Sequence, residues 1–144
     1  MEVESSLLKP LDARRLLTRG LTVAATQHEV RRGDDIEARV TASSRRMQGA
    51  LEVGLVCTEY YDEDVRDGMD DHTPNRTTLQ AIAYETWQPV DDVDGDQSLR
   101  FTVPPNAPFS YKGECLSYKW EVVARGRKRH RLDAQARSEV VVRP

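Results

Sequence analysis

From Leu116 onward every second residue is apolar: Leu116, Tyr118, Trp120, Val122 and Ala124, with Ser117, Lys119 and Glu121 between them. A strand with one buried face requires this two-residue period, and a helix cannot bury such a set on one side. Leu99, Phe101 and Val103 repeat the pattern upstream, around Arg100 and Thr102. Pro104 and Pro105 end that run, because neither has an N–H to give to a ladder. Pro108, Ser110 and Gly113 lie between the two runs and supply the turn chemistry that joins them. The rest of the chain must then provide strands that cover the apolar faces of these two.

It does so almost throughout. Leu21 to Thr26 is a candidate strand, and Arg31, Arg32, Gly33 and Asp34 form a turn; Ile36, Ala38, Val40 and Ala42 then make the inward face of the next strand. Leu51, Val53, Leu55 and Cys57 form another alternating face after a loop at Ser43, Ser44, Arg45 and Arg46. Residues 62–78 hold Asp62, Glu63, Asp64, Asp67, Asp70 and Asp71 with Gly68 and Pro74, and read as one long exposed, mobile connection. Pattern resumes at Leu79, Ala81 and Ala83. Gln80, Ile82 and Tyr84 between them leave both faces partly apolar, as in a central or twisted strand. Leu132, Ala134 and Ala136 followed by Val140, Val141 and Val142 close the chain, with a phase break at Arg137 and Ser138 that suggests a bulge. Residues 1–20 form an extension in which Asp12 could cap and Gly20 stop a helix of two turns; a linker or an irregular strand fits equally. The expected architecture is an all-β, two-sheet antiparallel β-sandwich of seven or eight strands over residues 21–144.

A run of F-x-V-P ending in Val103 and Pro104, then Pro108 and Ser110, then Leu116, Tyr118, Trp120 and Ala124 resembles the C-terminal half of an arrestin-type, immunoglobulin-like sandwich domain. Glu29 to Ile36, with Gly33 and Asp34 at its centre, resembles the glycine-aspartate hairpin of such domains, although Ala38 stands where a second glycine is common. The resemblance implies a non-catalytic protein-interaction or adaptor module. Two other classes stay open: an accessory domain of a membrane-associated or enzyme system, and a small-ligand or metal-binding sandwich.

The 144 residues suffice for one domain with its own core. A net charge of −3 argues against general attraction to nucleic acid or membrane. No apolar run reaches the length of a signal-peptide core, so a cytoplasmic protein is expected, and the two cysteines, Cys57 and Cys115, are expected as free thiols on different sides of their strands. No cofactor is indicated. Asp92, Asp94 and Asp96 begin like an EF-hand loop, but Gln97 replaces its glycine and Val103 its bidentate glutamate. His28, His72 and His130 have no metal-ligand or catalytic spacing. The strongest local bias is basic: Arg125, Arg127, Lys128, Arg129 and Arg131 crowd into one turn of an otherwise acidic protein. Arginine forks match phosphate and carboxylate oxygens, so this tip is the candidate contact for an acidic or phosphorylated protein partner or an acidic lipid surface. Nucleic acid is disfavoured, because no aromatic residue is interleaved there.

Overall fold

The computed structural model describes residues 21–42, 51–65, 75–90, 95–126 and 135–144. Their strands form two facing sheets. The smaller is antiparallel, in the order β1 (Leu21–Ala25), β3 (Asp35–Ala42), β6 (Gly95–Thr102). The larger runs β2 (Glu29–Arg31), β9 (Gln135–Arg143), β8 (Leu116–Gly126), β4 (Leu51–Val65), β5 (Asn75–Val90), and β7 (Tyr111–Lys112) adds to β8 beside β9. Only β2 pairs in parallel, Val30 lying opposite Val142.

The alternating residues meet where the pattern puts them. Ile36, Ala38 and Val40 of β3 face Leu51, Val53, Leu55 and Cys57 of β4 and Trp120, Val122 and Ala124 of β8 across one dry core that Phe101 and Val103 also enter. Tyr118 and Tyr84 pack at its margin, the Tyr84 ring 5.7 Å from that of Trp120.

The two founding runs prove to lie in different sheets, β6 and β8, and the connection between them serves as a clasp. Trp120 donates its indole N–H to the Pro108 carbonyl at 2.9 Å. Ser110 donates its backbone N–H to the Val142 carbonyl, and its Oγ accepts the Val142 N–H, both at 2.8 Å. Proline and serine thus leave the buried indole and the last strand with satisfied polar groups. Gly33 adopts φ +89°, a conformation that side chains other than glycine's rarely tolerate, and this turn carries the chain from β2 in one sheet to β3 in the other. The expected hairpin at Glu29 to Ile36 is therefore a crossing between sheets.

Three other expectations change. Residues 62–78 are not one loop: β4 runs on to Val65 and β5 begins at Asn75, so a two-stranded ladder occupies both ends of that stretch. β5 is not central but the outer strand of the larger sheet. No bulge interrupts β9, because its register with β8 is continuous from Gln135 to Val140, and Ser138 simply takes a core-facing place opposite Val122. The bulge falls instead on β5, where the register with Cys57 and Thr58 skips Ala83. The extension at residues 1–20 lies outside the described residues.

Candidate functional site

Of the five basic residues singled out in the sequence, Arg125 is described, and Arg127, Lys128, Arg129 and Arg131 lie outside the described residues. Arg125 is not free for a partner. Its Nε donates to Glu52 Oε1 at 2.6 Å, and its guanidinium carbon sits 3.7 Å from the centre of the Trp87 ring. These contacts tie it to the outer face of the larger sheet.

That face is less wet than strand alternation alone predicts. Val56 and Val123 point away from the core yet are buried, as are Thr58 and Glu121. Gly54 explains part of the cover. With no side chain on that residue, the Trp87 indole lies directly over the backbone, so close that a Cβ there would meet ring carbons at 2.5 Å. Arg125 caps the ring from above. On the neighbouring strand Arg137 donates to Glu121 Oε1 at 3.2 Å, which gives the buried carboxylate its counter-charge, and to Gln135 Oε1 at 3.0 Å. Between these groups runs a groove of about 300 Å³ with Val56 and Val123 in it, Trp87 and Arg137 beside it, and Ile82, 55% exposed, at its edge. The signal in the sequence was Gly54 itself, since an isolated glycine in an apolar strand marks a close approach by another group.

Beside the groove lies the outer edge of β5, which pairs with β4 on one side and with no strand on the other among the described residues. Its two halves differ. Toward the C-terminus Glu85 carries a charge, Pro89 has no N–H, and Gln88 donates across to the Arg100 carbonyl of β6 at 2.7 Å, three features that discourage a further strand. On the other side of the bulge, residues 77–82 are Thr-Thr-Leu-Gln-Ala-Ile, without a charge, and all but the half-buried Leu79 are exposed. The strand behind them is acidic: Glu59, Asp62 and Glu63 lie on β4, and Asp62 accepts a hydrogen bond from Thr78 at 2.9 Å.

The remaining candidates are dispersed. Cys57 is fully buried, and burial, with the nearby Glu59 carboxylate adding to it, pushes its thiol up to about 12. Cys115 is exposed in the turn before β8. His28 is exposed beside β2, while His72 and His130 lie outside the described residues, as do Asp92 and Asp94. Asp96 accepts a hydrogen bond from Thr41 at 2.6 Å across the smaller sheet. Among the described residues no group of three or more His, Cys, Asp or Glu is placed to hold a metal ion, and no helix is long and apolar enough to cross a membrane.

No protein-family model and no curated protein matches the chain. Solved structures do. Spo0M, the sporulation control protein of Bacillus subtilis, overlaps 86% of this chain at a TM-score of 0.52 and 11% identity. What the two share is the fold. Spo0M is arrestin-like, and this chain spans about half of its length, 49%. A superoxide reductase (neelaredoxin) from Ignicoccus hospitalis overlaps 85% of this chain and 80% of its own at 10% identity, with a TM-score of 0.36.

Proposed function

We propose that this chain is a non-catalytic protein-interaction module of arrestin-like type, acting in the cytoplasm, that receives its partner on the β5 side of its larger sheet. The half-guarded edge of β5 carries this reading. Soluble sandwiches blunt their outer strands against unwanted pairing, and here the device is present on residues 85–89 and missing on 77–82. An uncharged, exposed edge beside a groove of mixed polar and apolar lining is the kind of surface that strand-adding recognition uses. The overlap with Spo0M supports the arrestin-like part of the proposal. The withdrawn Cys57 thiol, too basic to form a nucleophile near neutral pH, fits a module without covalent chemistry.

Site-directed photo-crosslinking tests it. A benzophenone side chain at position 82 should give a discrete protein adduct in an extract of the source cells, and the same probe at Glu37, exposed on the smaller sheet, should not. Adducts of equal yield at both positions, or at neither, overturn the reading.

A further inference from the structure

Resting on that reading and sharpening it, we infer that residues 77–82 of β5 accept an extended basic segment of a partner protein as an added strand. The segment carries Lys or Arg at two positions four residues apart, with an apolar residue midway between them. The pattern follows from the register. On the side of the sheet that continues the core face, Ala81 lies opposite Glu59, Leu79 opposite Tyr61, and Thr77 opposite Glu63. A new strand would stand one spacing beyond β5, about 9–10 Å from β4. Its side chains on that face would fall into line with those three rows. In the first row the methyl of Ala81 leaves the way open for a long basic side chain to lie across β5 and reach Glu59. In the third, Thr77 offers little more obstruction before Glu63. The middle row presents Leu79 beside the exposed Tyr61, which an apolar residue would cover. The result is a basic–x–apolar–x–basic preference that reads the same in both chain directions.

Charge decides among occupants. The paired segments 58–65 and 75–83 contain Glu59, Asp62, Glu63 and Asp64 against the single base Arg76. An acidic segment would bring like charge to this arm. A second copy pairing through its own β5 would offer only the uncharged 77–82 run and leave Glu59 and Glu63 uncompensated. A basic strand satisfies both the open ladder and the carboxylates.

The test uses a capped palindromic peptide, Thr-Arg-Thr-Val-Thr-Arg-Thr, its Arg-to-Glu counterpart, and the full chain labelled for amide NMR. The basic peptide should bind with a salt-dependent affinity, shift the amides of residues 77–82, and slow their hydrogen exchange. The Glu peptide should bind at least tenfold more weakly. Glu59→Gln with Glu63→Gln, close in shape to the native pair, should weaken the basic peptide about fivefold or more, the summed effect of two cross-strand charge pairs. Ala81→Lys, which fills the path to Glu59, should act in the same direction with an unchanged unfolding midpoint. Equal binding of the two peptides, shifts confined to other strands, dimerisation through β5 without peptide, or no binding at millimolar peptide each overturn the inference. If the peptide fails while the probe at position 82 still captures a protein, strand addition falls and the interaction reading stands; failure of both removes both.

Discussion

Replacing Gly54 with alanine tests whether the outer face of the larger sheet is built around the Trp87 indole. The new Cβ would lie 2.5 Å from Cδ2 and Cε3 of that ring and 2.8 Å from Cζ3, roughly 1 Å inside the usual carbon contact of about 3.5–4.0 Å. The ring cannot simply rise, because the Arg125 guanidinium stands 3.7 Å above it and is held by Glu52 at 2.6 Å. Overpacking costs about 1–3 kcal/mol and the lost cation–π contact about 0.5–1, while exchanging a strand glycine for alanine returns about 0.5–1. The net expectation is a loss near 2 kcal/mol in urea unfolding. A double-mutant cycle isolates the cause: in a Trp87→Ala background the clash is gone, and Gly54→Ala should become neutral or slightly stabilising. If the single substitution stabilises the native chain, or its cost survives without the indole, the ring does not rest on Gly54 as described.

Trp120→Ala should cost about 3–5 kcal/mol through the cavity it leaves, with the Pro108 carbonyl losing its donor as well; a loss under about 1 kcal/mol would show that β8 faces the other way. In thiol labelling at pH 8 only Cys115 should react in the native protein, and Cys57 only after unfolding; two fast thiols would contradict the burial of Cys57. The Cys57 thiol is held up to about 12 against an ordinary 9.0. Its contribution to stability is therefore complete below pH 9 and is lost as pH rises from there toward 12, so alkaline unfolding should be shallower in Cys57→Ala.

The fold was legible wherever one face of a strand is dry and the other wet. Trp120, Val122, Leu55 and Val40 announce their side by parity alone, and all are buried. The ends of β4 and β5 were not legible, because at Asp62 and Glu63 or Thr77 and Thr78 no buried face remains to impose alternation. The ladder between the two strands, with the Thr78 to Asp62 bond and the Asp62 N–H on the Cys115 carbonyl at 3.0 Å, keeps them extended. Ser138 misled for the opposite reason: a small polar residue took a core-facing position, so the apolar pattern lapsed there although its parity runs on unbroken. At the site, basic density pointed to Arg125, Arg127, Lys128, Arg129 and Arg131; the one of these among the described residues, Arg125, already has its charge matched by Glu52, and composition could not show that a six-residue stretch lacks the protection its neighbours have. That contrast depends on β5 being outermost, a fact of topology.

The parallel pairing of β2 with β9 bears on how the chain reaches this structure. Glu29 meets Val141 and Arg31 meets Arg143, and the Val141 N–H closes on the His28 carbonyl at 2.9 Å. Bringing such distant partners together carries a loop-closure entropy of about 4 kcal/mol, to be met before any contact rewards it. β2 is three residues long and, among the described residues, pairs with no strand but β9, so its ladder forms only when β9 arrives. During synthesis β2 must therefore wait for β9, although β1 and β3 can pair with each other and with β6 earlier. Such a distant pairing adds to the non-local contacts that make β-sandwiches slow folders as a class.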